Sequence, residues 1–183
     1  MRAVTKYAVS ALCILGLVSQ SISMAQDHGG APTAKEEPSM EHIMPHGWRL
    51  WIYGSPPKLC SIMKITNAWG MTLVRYHSDK PYVLQITNVN WLIPGPAPIK
   101  FEFKFGDEPS WDQMGRSVNH KSVETPVGQE FIYRWKAYGS VKVKINGSEI
   151  NFDLLGSANA TKTLEQCTTG LPKYSPECGP SCS

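Results

Sequence analysis

Sulfur- and nitrogen-bearing side chains alternate in the segment SMEHIMPHGW, where Met40, His42, Met44 and His46 occupy every second position. Thioether sulfur suits Cu(I), and imidazole nitrogen binds both oxidation states of copper. The pattern therefore predicts a copper site formed by these four residues. The alternative is that a polar lead segment carries these residues by chance. Metal binding would also be opposed by the conformational entropy that such a segment loses when it closes on a metal.

The segment 1–25 has the features of a secretory signal peptide. The basic residues Arg2 and Lys6 precede an uncharged, mostly apolar run, Tyr7–Val18, and Ser23-Met24-Ala25 supplies the small residues that signal peptidase recognises. The apolar run is too short for a transmembrane anchor. We expect cleavage after this tripeptide, export to the periplasm and no membrane span in the mature chain.

Cleavage at that position would create a new N-terminus, Gln26-Asp27-His28. Its amine, amides and imidazole would form a square-planar Cu(II) site, which cyclisation of Gln26 would destroy. The same cleavage removes two of the 18 Lys and Arg residues, so that 16 face 15 Asp and Glu residues and the formal net charge is +1. This balance argues against a nucleic-acid partner.

Four cysteines remain when Cys13 leaves with the signal: Cys60, Cys167, Cys178 and Cys182. An even number in an exported chain favours two disulfides, and four cysteines allow three pairings. The segment CGPSC is short enough to close on itself, which leaves Cys60 to pair with Cys167. A redox-active or metal-binding role for CGPSC is the alternative.

Three parts follow the signal. Residues 26–47 are rich in Gly, Pro and charge and are expected to form a flexible lead segment. Residues 48–167 carry the fold, and residues 168–183 form a Pro- and Gly-rich tail with the short disulfide.

The central part is predicted to be β almost throughout. In IKFEFKF the apolar residues alternate with Lys and Glu, as in a half-buried strand. Asn146-Gly147 predicts a type I′ hairpin turn that places Lys144 opposite Glu149. Weaker strands are predicted in RLWIYG, KLCSIMKIT, MTLVRYH, YVLQITNVNW and EFIYRWKAY. We expect an antiparallel β-sandwich or barrel-like domain with one short C-terminal helix, SANATKTLEQC, which Ser157 caps and which turns Cys167 towards the sheet.

Catalytic motifs are absent from the sequence. His77 and His120 are the histidines of the predicted domain, and Asp107-Glu108 and Asp112 form a carboxylate cluster that could support acid–base chemistry. We interpret the two histidines as loop or strand-end residues and the carboxylates as part of a solvated loop. We predict no catalytic residue and no resident cofactor other than the copper considered above.

Six tryptophans lie in the predicted domain, and Trp91 leads directly into LIPGPAP. Most tryptophans are expected in the core. An exposed Trp-Pro surface at this point would favour a protein partner, because rigid aromatic side chains anchor interfaces.

The order of these features resembles a group of exported bacterial proteins related to the invasion-associated locus B family. The shared features are Gly47-Trp48 entering the first strand, Cys60 in KLCSIMK, and the segment DLLGSANATKTLEQC ending at Cys167. The resemblance covers Trp48 to Cys167 and implies a periplasmic β-sandwich without a known active site.

In size, predicted export and lack of cofactor motifs, the chain is also similar to the small, cofactor-free subunit of the quinohaemoprotein alcohol dehydrogenases of acetic acid bacteria. That likeness implies a supporting role beside a larger catalytic subunit.

These features favour a non-catalytic periplasmic interaction module, an accessory subunit that docks on a larger envelope protein or a dehydrogenase complex. The alternatives are a copper-binding protein that uses the Met/His segment, a virulence-associated exported protein of the invasion-associated locus B type, and a small hydrolase or inhibitor with a loop site.

Overall fold

The computed structural model describes residues 38–54 and 58–169. The predicted signal peptide, the Gln26-Asp27-His28 site and the predicted Cys178–Cys182 disulfide lie outside these ranges.

Ten strands form one antiparallel sheet whose order is β1-β2-β3-β4-β5-β8-β7-β6-β9-β10. Two α-helices accompany it. The strands are β1 Pro38–Ile43, β2 Trp48–Tyr53, β3 Leu59–Thr66, β4 Trp69–Arg75, β5 Tyr82–Asn88, β6 Pro98–Phe105, β7 Trp111–Asn119, β8 Ser122–Val127, β9 Ser140–Ile145 and β10 Ser148–Asp153, and the helices are α1 Gln129–Ala137 and α2 Ser157–Thr169.

The sheet is not closed but folds over so that its two halves face each other. The ring of Trp69 in β4 lies 6.5 Å from that of Phe152 in β10, centre to centre. Beside them, Lys64 Nζ in β3 lies 2.7 Å from Asp153 Oδ2. The apolar faces of both halves therefore share one core, and the predicted antiparallel, sandwich-like β fold is confirmed.

Strand β6 shows how alternation directs this packing. All four apolar residues of IKFEFKF, from Ile99 to Phe105, are buried, whereas Lys100 and Lys104 on the other face are exposed. The β9–β10 hairpin also forms as predicted. Asn146 and Gly147 both have positive φ, 48° and 76°, and the hairpin register runs through the predicted opposed pairs.

Helix α2 lies against β2 and β3, where a disulfide joins Cys60 to Cys167 across 107 positions. This is the pairing predicted from the sequence. A tryptophan pair joins β2 to the other helix. Trp48 meets Trp135 of α1 edge to face at 5.7 Å, and Trp48 Nε1 donates a hydrogen bond of 2.8 Å to the Leu155 carbonyl oxygen.

Three expectations from the sequence differ from the structure. EFIYRWKAY was predicted as a strand, but its residues form α1, so the prediction of a single helix is wrong. Phe131, Ile132 and Trp135 are buried on one side of that helix. Asp112 lies near the start of strand β7, although the sequence placed it in a loop.

The third difference concerns residues 38–47, which composition assigned to a flexible lead segment. Here Pro38–Ile43 pair with β2 as the edge strand, and a short 3-10 turn, Pro45–Gly47, leads into β2. Strand pairing with β2 satisfies backbone groups in this segment even though most of its described side chains are exposed.

Candidate interaction surface

Three connections meet at one end of the sheet. They are the β3–β4 turn at residues 67–68, the β5–β6 loop at residues 89–97, and the β7–β8 turn at residues 120–121. Backbone hydrogen bonds join them: Val89 N donates to the Ala68 carbonyl oxygen at 3.1 Å, and Ile93 N donates to that of His120 at 3.0 Å. The three connections are therefore held as one unit.

Ser117, buried in β7, fixes the long β5–β6 loop. Its hydroxyl donates to the Gly95 carbonyl oxygen at 2.8 Å and accepts from Ala97 N at 2.9 Å. Its own amide donates to the Ala97 carbonyl oxygen at 2.9 Å. Prolines at positions 94 and 96 further restrict the backbone. These contacts hold the loop in one conformation.

Apolar side chains point outwards from this end. Leu92 is 84% exposed, and Ile65 and Val89 are each 48% exposed. Pro94 and Pro96 are exposed beside them. We call Ile65, Val89, Leu92, Pro94 and Pro96 the loop-end surface. Exposed apolar residues gathered in this way are typical of protein interaction sites, whereas isolated ones are ordinary.

Trp91, which the sequence places next to LIPGPAP, lies underneath the loop-end surface. Trp91 is buried and meets half-buried Trp69 edge to face at 5.0 Å. The predicted Trp-Pro surface therefore has its prolines and Leu92 outside and its indoles inside, where they support the loop.

Two basic side chains stand at the margin of the loop-end surface. Lys121 donates a hydrogen bond from Nζ to the Val89 carbonyl oxygen. His120 Nδ1 lies 2.7 Å from the Ile93 carbonyl oxygen. Since a carbonyl oxygen can only accept, Nδ1 carries the proton and donates this hydrogen bond.

The four residues of the predicted copper site have different surroundings in the structure. Met40 and His42 are exposed in β1, and Met44 is buried in the hydrophobic core. His46 packs against Gly156, with its ring within 2.7 Å of where a β-carbon on that glycine would lie. In residues 38–54 and 58–169, no three His, Cys, Asp or Glu side chains are grouped to hold a metal. Copper binding stays a prediction of the sequence.

The candidate acid–base residues make structural contacts. His77 Nδ1 lies 2.6 Å from Asp79 Oδ1, and this hydrogen bond lowers the pKa of Asp79. Within the described ranges, no serine hydroxyl or cysteine thiol hydrogen-bonds to the His77 ring. In this part of the chain, His77 and Asp79 therefore have no serine or cysteine nucleophile to activate.

The carboxylates near β7 are also engaged. A hydrogen bond from the Tyr138 hydroxyl lowers the pKa of Glu108, and Arg134 pairs with the same carboxylate and lowers it further. Asp112 pairs with Lys100 at 2.8 Å on the outer face of the sheet. Glu108 is not poised as a general acid, because these contacts stabilise its ionised form.

A groove of about 300 Å³ opens between β7 and the start of α1. Trp111, Gln113 and Arg134 are among its lining residues. The Trp111 ring already contacts the Arg134 guanidinium at 4.8 Å and stacks on Phe105 at 5.5 Å. The aromatic surface of this groove is thus engaged within the chain.

Neither described helix is long and apolar enough to cross a membrane. No protein-family model and no curated protein matches the sequence. A solved structure that the chain resembles is the crystal structure of invasion associated protein B from Bartonella henselae, with a TM-score of 0.48 and 13% identity over 69% of this chain and 96% of that chain.

Proposed function

We propose that this chain is a non-catalytic interaction module of the bacterial periplasm, an accessory subunit that docks on a larger envelope protein or dehydrogenase complex. The observation that supports the proposal is the loop-end surface, where Leu92 stands 84% exposed on a loop that Ser117 holds in place. A pre-ordered apolar projection loses little conformational entropy on binding, so more of its burial contributes to affinity.

The histidine and carboxylate contacts are consistent with this role. His77 and Glu108 both serve as hydrogen-bond partners of neighbouring side chains. An exported protein of the invasion-associated locus B type is the second candidate, and the observation that favours it is the disulfide between the two cysteines of that sequence pattern, Cys60 and Cys167.

The test is purification of the exported chain from a native envelope extract. The bound proteins are identified, and the molar ratio of each to the chain is measured. We expect one larger protein to co-purify with the wild type and to be lost from Leu92→Asp. Met114→Asp is the matched control, because Met114 is also exposed, at 57%, but lies on the outer face of β7.

Retention of the larger protein by Leu92→Asp would contradict the proposal, as would turnover of a substrate by the purified chain alone. Circular dichroism of both variants shows whether each is folded.

A further inference from the structure

The three connections of the loop-end surface contain no acidic residue. Residues 65–69, 89–97 and 119–122, which form its three connections and their flanks, include no Asp or Glu. Lys121 and His120 supply the ionisable groups of these segments. Within those segments, therefore, no carboxylate neutralises the charge of Lys121.

The acidic residues of the loops lie at the other end of the strands. Strand β4 runs from Trp69 at the loop end to Arg75, and the turn that follows it carries Asp79. Strand β6 likewise runs away from the loop end to Phe105, beyond which Asp107 and Glu108 follow. Asp79, Asp107 and Glu108 thus lie away from the loop-end surface, at the end of the strands that also carries Lys58 and Lys80.

Hydrogen bonds also hold the two basic side chains beside the loop-end surface. Lys121 Nζ is held by the Val89 carbonyl oxygen, and the His120 ring is held by that of Ile93. A lysine ammonium has three donor hydrogens, so one internal bond leaves donors for a partner. Charges held in place cost less to order on binding than mobile side chains do.

From this arrangement we infer that the partner presents an apolar hollow with an acidic rim, in which Leu92 fills the hollow and a carboxylate meets Lys121. This inference rests on the proposed function and names the chemistry of the partner surface. Charge complementarity of this kind steers association and selects among partners, and its contribution falls as salt screens the charges.

The test uses two labelled peptides and the full-length protein without its signal. One peptide has a central Trp-Leu flanked on both sides by Glu, and the other has Lys in place of every Glu. We expect the acidic peptide to shift the NMR signals of Leu92, Val89 and Lys121, and to bind more weakly as salt rises. The lysine peptide should not shift them.

Two variants separate the apolar and the charged contributions. Leu92→Ser should weaken binding of the acidic peptide by roughly tenfold or more. Lys121→Glu should weaken it several-fold, whereas Lys104→Glu, an equal charge change at an exposed residue of β6, should leave it unchanged. If Lys121→Glu disturbs the loop, the charge contribution is tested instead by measuring whether binding of the acidic peptide to the wild type weakens as salt rises.

Equal binding, or no binding, of the two peptides overturns the inference of an acidic rim. So does an equal effect of Lys121→Glu and Lys104→Glu. Co-purification that still depends on Leu92 in those cases would leave the proposed function in place, so the two failures are distinguishable.

Discussion

The hydroxyl of Ser117 in β7 donates a 2.8 Å hydrogen bond to the carbonyl oxygen of Gly95, 22 positions earlier in the chain. The same hydroxyl oxygen accepts a hydrogen bond from Ala97 N. One buried side chain thus bonds to two backbone groups of the loop.

Ser117→Ala should therefore destabilise the protein by about 1–3 kcal/mol, the usual cost of leaving buried polar groups unsatisfied. Amide hydrogen exchange at Ala97 should accelerate, and urea unfolding measures the loss of stability. Ser110→Ala is the control, since Ser110 is exposed. Unchanged exchange at Ala97 would show that Ser117 does not hold the loop.

The role of Ser117 could not be read from the sequence. LIPGPAP could be recognised as an exposed apolar segment, but its fixed conformation depends on a serine that is distant along the chain. The hydroxyl of a single serine gives no periodic signal. The relevant information is the register that places Ser117 beside Ala97, and that register follows from the β6–β7 pairing, which single-sequence patterns specify poorly.

The strand pattern was predictable where alternation was strict, as in IKFEFKF and in the Asn146-Gly147 hairpin. It failed for EFIYRWKAY, because short apolar runs with aromatic residues fit both a strand and one side of a helix. Phe131 and Trp135, four residues apart, satisfy the helical spacing. The strand at Pro38–Ile43 was missed for another reason. It is an edge strand exposed on both faces, so its sequence lacks the alternation of apolar and polar residues that a buried face produces.

The disulfide between Cys60 and Cys167 should contribute strongly to stability, because it closes a loop of 107 positions. The chain-entropy model gives about 4–5 kcal/mol for a loop of this size. Cys60→Ser with Cys167→Ser should lower the urea midpoint accordingly, and dithiothreitol should lower that of the wild type by a similar amount. Equal midpoints for oxidised and reduced wild-type protein would contradict this prediction.

The free energy of unfolding should decrease at acid pH because the carboxylate of Asp153 becomes protonated. The ammonium of Lys64 donates a 2.7 Å hydrogen bond to Asp153, and this bond, helped by the backbone amide of Leu155, lowers the pKa of the carboxyl. A pKa lower in the folded than in the unfolded state gives stability that is present above about pH 4. That stability is lost as the pH falls through the folded-state value.

Asp153→Asn removes this titration while preserving the shape of the side chain. We expect the variant to be less stable than the wild type at neutral pH, because Lys64 stays nearly buried without its counter-ion. The difference should begin to shrink below about pH 4, where the carboxyl protonates in the unfolded wild type, and it should shrink further as the pH falls through the lower pKa of the folded state. Urea unfolding of both proteins across the acid range up to neutral pH measures it, and a difference that stays constant with pH would exclude this pair as the source.

Gly115 marks a place in β7 where the backbone tolerates no side chain. A β-carbon there would lie 2.1 Å from the Glu124 carbonyl oxygen and 2.6 Å from Cε2 of Phe101. Since the first of these is backbone and the second belongs to a fully buried ring, neither yields easily. Gly115→Ala should cost at least about 1–3 kcal/mol through overpacking, and it should disturb the β7–β8 pairing.

Gly139→Ala is the matched control for Gly115→Ala, because no other atom lies within 4 Å of the point that a β-carbon on Gly139 would occupy. Thermal unfolding compares the two variants, and only Gly115→Ala should show a clearly lower midpoint. Equal stability of both would mean that β7 shifts to admit the methyl group. In that case the register that brings Ser117 to the loop would not be rigid, and the fixed conformation of the loop-end surface would need another cause.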